Sequence, residues 1–374
     1  MLLTYKIKKD SYLQRVDINT QTKEIFKKEP IVHKDFSTVI RGENRSILIY
    51  KNDEKISISQ YNGTDKVLKS TFNFKDKESY KDFFGSENID AIKTNEFIAN
   101  GSTLKSRVYL DKSNLVFTKE NVDNNYTEVV KVSLNDLKLI PSRINKFSNK
   151  RKVKSYKKFT SFYHDNKIYQ FGNNKEEASI KIHNINNNRN KKIELNASIA
   201  SKIKGNERFS GMENFLKKAG KNKYNTTITV NPTEGNKVKV RVDYVDINYS
   251  YHYNWWWHHH QFMMWQQHNM MMNNIRTSVP GGFGPTQPND LYFNNYIIKE
   301  DKRYFELLLN SNNEVLNDAL PYTIYKDIDK KKYIKKLEDI SDLKHESSCF
   351  LKNSYRYIGY SRKLKGFIFQ TNKI

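Results

Sequence analysis

Short alternating strands separated by Asn- and Asp-containing breaks recur along the first half of this chain, and that recurrence limits its fold more than any other feature. One unit runs Ser46-Ile47-Leu48-Ile49-Tyr50, a break at Asn52-Asp53, then Ile56-Ser57-Ile58-Ser59, a break at Asn62-Gly63, and Val67 to Phe72. A second has Arg107-Val108-Tyr109-Leu110, Leu115-Val116-Phe117-Thr118 and Glu128 to Val132, with turns at Asp111-Lys112 and near Asn124-Asn125. The third has Phe162-Tyr163, a turn at Asp165-Asn166, Ile168 to Phe171, and Ala178 to Ile182. Side chains alternate between the two faces of a strand, and Asn, Asp and Gly tolerate the left-handed backbone of tight hairpins. Each unit therefore reads as an antiparallel meander. The units start at Ser46, Ser106 and Ser161, so the spacing is roughly 50–60 residues.

Meanders at this spacing resemble the blades of the general six- or seven-bladed β-propeller class, over residues 1–200 and again 290–374. The resemblance implies an all-β, propeller-like assembly of short antiparallel meanders; a β-sandwich or barrel is the alternative. The C-terminal strands Tyr355 to Tyr360 and Gly366 to Phe369 are expected to share a blade with Leu3-Tyr5-Ile7 and Leu13-Val16-Ile18, which would close the ring and hide sheet edges.

Residues 1–200 form the repeat region and 201–222 a helical interruption, in which Phe209, Met212, Phe215 and Leu216 share a face from Asn206 to Gly220. A strand pair follows at 223–246, and 290–374 combines strands with a Lys-rich amphipathic helix from Asp327 to Ser341. Between them, 247–289 is an insertion or elaborated edge. It ends in Ser278-Val279-Pro280-Gly281-Gly282-Phe283-Gly284-Pro285, which continues neither a helix nor a central strand.

The 374 residues carry 65 Lys+Arg against 41 Asp+Glu, a formal net charge of +24 that favours anionic polymers or headgroups as partners. The basic run from Arg143 to Lys158 reads as a solvated linker. It has no zinc-finger cysteines, recognition helix or aromatic sheet motif beside it, so nucleic acid is not expected as a specific partner. A single cysteine, Cys349, excludes an intramolecular disulfide and reads as a half-buried thiol. No run of 18 apolar residues exists for a transmembrane helix, and Met1 to Lys9 reads as a strand rather than a secretory signal. A periplasmic or envelope location fits only if a leader is missing.

The insertion concentrates unusual chemistry. All four tryptophans lie in it, Trp255, Trp256, Trp257 and Trp265, and no Asp, Glu, Lys or Arg occurs from Ile247 through Ile275. Imidazole and thioether donors together suit soft transition metals, copper first. On a helix, His260, Met264, His268 and Met271 fall near one stripe; on a strand, His258 and His260 share a face that Met264 continues. The aromatic rings with neutral amides around them also suit stacking on a glycan or packing on a protein surface. As a packed core element the segment keeps no clean apolar period, and a weakly ordered insertion without a ligand is the remaining reading.

No Gly-rich nucleotide loop, nucleophile elbow or metalloprotease helix is found, and His164-Asp165 and His183 read as surface turn residues. The sequence therefore favours a non-catalytic binding or structural module. Copper binding through the His/Met segment and a propeller enzyme with active groups in a central funnel are the alternatives.

Overall fold

The computed structural model describes the strands and most turns between Leu2 and Lys373. The longer stretches outside the described residues are 74–83, 93–103, 136–144, 149–155, 206–215, 217–223, 247–303 and 319–342. Six separate sheets follow one another along the chain. The first holds β1 (Leu2–Ile7) and β2 (Asp10–Ile18), with β3 (Ile25–Lys27) and β4 (Ile31–Val32) pairing successive parts of β2. The second is the meander β5 (Phe36–Arg41), β6 (Arg45–Lys51), β7 (Lys55–Asn62) and β8 (Asp65–Asn73). In the third, β9 (Asp90–Ile92) runs parallel to β10 (Ser106–Asp111), followed by β11 (Asn114–Asn121), β12 (Tyr126–Ser133) and β13 (Asn145–Ser148). The fourth is β14 (Lys158–His164), β15 (Lys167–Asn173), β16 (Ala178–Asn184) and β17 (Asn190–Glu194).

The fifth sheet comprises β18 (Lys204–Gly205), β19 (Tyr224–Pro232), β20 (Val238–Asp246), β21 (Tyr304–Leu309) and β22 (Val315–Leu316), ordered β18-β21-β20-β19 with β22 also on β21. The sixth is β23 (Leu343–Leu351), β24 (Ser354–Ser361) and β25 (Gly366–Lys373).

The apolar alternation explains why the sheets stack. On the third sheet, Val108, Leu110, Leu115, Phe117, Val130 and Val132 share one face and pack on Ile40, Ile47, Ile49, Ile56 and Ile58 of the second. The opposite face contributes Tyr109, Val116 and Val129 to a second core with the fourth and fifth sheets. Phe171 of β15 meets Phe305 of β21 edge to face at 5.9 Å within that core. A strand buried on both faces needs apolar residues at consecutive positions, as in Val108-Tyr109-Leu110. Each such side chain contributes about 1.5–3 kcal/mol on burial. Burial declines outward: β14 is buried along nearly its whole length, whereas Asn190, Lys191, Lys192 and Glu194 of β17 are exposed.

Side-chain contacts also fix the relative direction of the sheets. Arg45, at the β5–β6 turn, donates to the Lys112 carbonyl in the β10–β11 turn. Tyr163 donates to Asp111, and Lys131 Nζ donates to Asn166 Oδ1 at 3.3 Å in the β14–β15 turn. Lys167 Nζ reaches Asn313 Oδ1, in the β21–β22 turn, at 3.1 Å. These turns line one rim, so β5, β10 and β14 run the same way, and β14 lies against β19. Sequential meanders stacked face to face in a common direction form a propeller-like assembly, not a sandwich or a single barrel. The β14–β15 turn has both central residues in the left-handed region, Asp165 at φ 45° and Asn166 at φ 56°, the backbone of a two-residue hairpin turn.

The structure bears on three further expectations. The C-terminal strands form their own three-stranded sheet, and no ladder joins them to β1 or β2 among the described residues. Within these sheets β1, β23 and β25 are edge strands, each paired on one side. Part of the basic run, Asn145–Ser148, is not linker but the edge strand on β12. Of the helix expected at 206–220 only Leu216 is described, helical and buried in the larger core. The helix expected at 327–341 lies outside the described residues.

Candidate functional site

The interface between the third and fourth sheets combines apolar side chains with a set of buried hydrogen-bonding groups. Alternation sends Arg107 and Tyr109 of β10, Glu120 of β11 and Thr127 of β12 to the face that meets Ser161 of β14, Gln170 of β15 and His183 of β16. Arg107 is 1% exposed and Glu120 5%. Arg107 Nη1 donates to Glu120 Oε1 at 2.6 Å and to the Ser161 carbonyl at 2.7 Å. Glu120 Oε1 also accepts from the Ser161 amide at 2.6 Å, from Thr160 Oγ1 at 3.0 Å and from Ser161 Oγ at 3.3 Å. Asp90 of β9 sits opposite Arg107 in the parallel ladder. Burial acts to lower the Arg107 pKa, but Glu120, with Tyr109 and Asp90 adding to it, more than offsets that, so the guanidinium is held firmly charged.

Further along the same interface a neutral relay crosses the sheets. His183 Nε2 donates to Gln170 Oε1 at 3.0 Å, and Gln170 Nε2 donates to Thr127 Oγ1 at 3.0 Å. His183 is 5% exposed. Burial, with Lys181 adding to it, pushes its pKa down to about 4, only partly offset by a hydrogen bond with Asn190. His164 is likewise lowered by burial. His183 is not the surface turn residue that the sequence predicts: it lies within β16, and its phase in that strand turns it toward the third sheet, whereas His164 is half-buried at the end of β14, beside the Asp165-Asn166 turn. Tyr163 is raised, first by burial and then by its bond to Asp111.

The fifth sheet presents a second polar surface. One face of β19, β20 and β21 carries Ile228, Val230, Val240, Val242, Phe305 and Leu307 into the core. On the other, Arg241 grips Asp243 with Nη2 and Nε, at 2.8 and 3.0 Å to Oδ1, and its guanidinium lies 3.6 Å from the Tyr304 ring centroid. Glu306 lies 3.6 Å from Arg241 and 3.7 Å from Lys239. β20 and β21 are adjacent antiparallel strands, with Asp243 opposite Tyr304. The chain between them, 247–303, therefore leaves and re-enters at one end of this sheet, at the rim opposite the β21–β22 turn.

Trp255, Trp256, Trp257 and Trp265 lie in that stretch, outside the described residues, and so do His258, His260, Met264, His268 and Met271. The Cys349 backbone belongs to β23, opposite Arg356. Among the described residues, no group of three or more His, Cys, Asp or Glu comes together as metal ligands, and no helix is long and apolar enough to cross a membrane. Sequence reasoning missed Arg107 and Glu120. A partial signal was present: Arg107 and Glu120 each share a strand with an apolar run, Val108-Tyr109-Leu110 and Leu115-Val116-Phe117, and Arg107 shares the phase of Tyr109.

No protein-family model matches the chain, and no curated protein matches it. Among solved structures, a member of the DUF4221 family from Bacteroides vulgatus is similar at 11% identity and a TM-score of 0.33, covering 100% of this chain and 92% of that one. An endo-arabinase from Bacteroides thetaiotaomicron is similar at 11% identity and a TM-score of 0.31, covering 91% and 93%. At these scores neither likeness bears on what this chain does.

Proposed function

We propose that the chain is a binding module in which a propeller-like scaffold carries its contact surface on the stretch between β20 and β21. The supporting observation is the adjacency of these two strands, which a turn of a few residues would join. The chain instead spends 247–303 there, including all its tryptophans. The buried polar groups of the scaffold support the same reading, because Arg107, Glu120, Gln170 and His183 are engaged in joining sheets.

Trp255, Trp256, Trp257 and Trp265 are the proposed contact rings, with a glycan or protein surface as partner. Aromatic faces stack on apolar surfaces while neighbouring amides supply hydrogen bonds without a charge to desolvate. In affinity electrophoresis against a panel of neutral and acidic polysaccharides, the full chain is expected to be retarded by at least one of them. Replacing the four tryptophans by serine should weaken that retardation at least about tenfold, the effect of losing about 1.4 kcal/mol of stacking. Equal retardation of variant and parent would overturn the assignment of these rings.

The donor content of the same stretch favours a second reading, copper(I) held by His258, His260, Met264, His268 and Met271. Titration with copper(I) against a chromophoric competitor should show stoichiometric uptake that disappears when His258, His260 and His268 become alanine. Uptake unchanged in that variant excludes these ligands.

A further inference from the structure

We propose that the β24–β25 hairpin docks the protein on an anionic lipid surface. The turn from Ser361 to Gly366 exposes Arg362, Lys363, Leu364 and Lys365 in succession. Leu364 is 69% exposed, and Phe367, just inside β25, is 40% exposed. An apolar side chain at the tip of a cationic turn has little reason to stay in water when acyl chains are within reach, and the flanking cations meet the phosphates above them.

The tip is held in shape before any contact. The Leu364 amide donates to Ser361 Oγ at 3.1 Å, and the Ser361 side chain is buried. The Lys365 amide donates to the Arg362 carbonyl at 3.3 Å, with Lys365 at φ 49°. Phe367 packs edge to face on its cross-strand neighbour Tyr360, ring centroids 5.4 Å apart, which fixes the ring beside the turn. Little conformational freedom is then lost on docking.

Charge complementarity selects the lipid surface as the occupant. Arg362, Lys363 and Lys365 follow one another around the tip, with no Asp or Glu from 347 to 373, on a chain with a net charge of +24. The other exposed apolar pair, Ile25 and Phe26 on β3, lacks this setting. Lys28 beside it is engaged by Asp65 at 2.6 Å and Asp17 at 3.8 Å, and Glu24 and Glu29 flank the strand. A soluble polyanion would satisfy the cations of the hairpin but leave Leu364 and Phe367 unused.

The test is co-sedimentation of the full chain with phosphatidylcholine vesicles containing phosphatidylserine, compared with phosphatidylcholine alone. Binding is expected only to the anionic vesicles, and it should fall as salt screens the attraction. Arg362→Glu with Lys365→Glu should weaken it by at least about twentyfold, since each basic residue near such a surface contributes about fivefold. Leu364→Ser, which leaves every charge in place, should weaken it about five- to tenfold. These positions are exposed, and an unchanged thermal transition confirms that the variants fold. Equal binding to neutral vesicles, or anionic binding indifferent to the charge reversals, overturns the proposal. So does an unchanged Leu364→Ser affinity accompanied by full competition from dextran sulfate, which would mark the tip as a polyanion site.

Discussion

Glu120→Ala is expected to cost the fold about 3–5 kcal/mol, because it removes the carboxylate to which the buried Arg107 guanidinium donates through Nη1. Arg107 keeps only the Ser161 carbonyl among the strong contacts it now makes through Nη1, and Ser161 loses the carboxylate that accepts from both its amide and its hydroxyl. Replacing both partners with apolar side chains, Arg107→Met with Glu120→Leu, should recover most of that loss, since the desolvation cost disappears with the charges. Urea unfolding of the two single variants and the double variant measures this directly. If Glu120→Ala lowers the midpoint no more than an exposed Glu→Ala change elsewhere, the pair does not hold the third and fourth sheets together.

Acid should weaken the same interface further out. The folded His183 pKa is pushed down to about 4 from an ordinary 6.5, so between those values the unfolded chain binds more protons than the folded one. The stability that His183 contributes is then complete above about pH 6.5 and lost as the pH falls toward 4. The loss amounts to about 1–2 kcal/mol after allowing for solvent screening. A charged imidazolium there is desolvated and faces Lys181, and its hydrogen bond with Asn190 offsets only part of that cost. His183→Gln should flatten the thermal midpoint against pH over this window. His164, lowered in the same sense, leaves a residual slope, so the comparison is between variant and parent. A parent and variant with the same slope would show that another group sets the acid limit.

Both predictions concern residues whose identity is plain in the sequence but whose surroundings are not. The hairpin at Asp165-Asn166 is legible because two-residue turns require a left-handed backbone, which Asp and Asn accept more readily than most side chains. The strands Arg107 to Leu110 and Leu115 to Thr118 are legible from the density of β-branched and aromatic side chains. Glu120, in contrast, meets Ser161 across a separation of 41 residues, and nothing local announces that contact. His183 looks like a turn residue because Asn184 and Asn186 to Asn188 follow it. Its burial depends on the phase of β16 against a sheet whose strands lie far upstream. The proposed tryptophan contacts remain a sequence-level inference, to which the fold contributes their point of attachment between neighbouring strands.

The sequence by itself determined that this chain forms short antiparallel meanders and where many of their turns fall, because period-two alternation and left-handed turn residues act over a few positions. It also singled out 247–289 as chemically distinct from the rest. Only the tertiary structure decided that the meanders stack as successive sheets with their hairpins on a common rim, and that the C-terminal strands make a sheet of their own. It alone decided which charged residues are buried. Those outcomes depend on which sheet face meets which, and the sheets that meet come from strands tens of residues apart, beyond the reach of any local pattern.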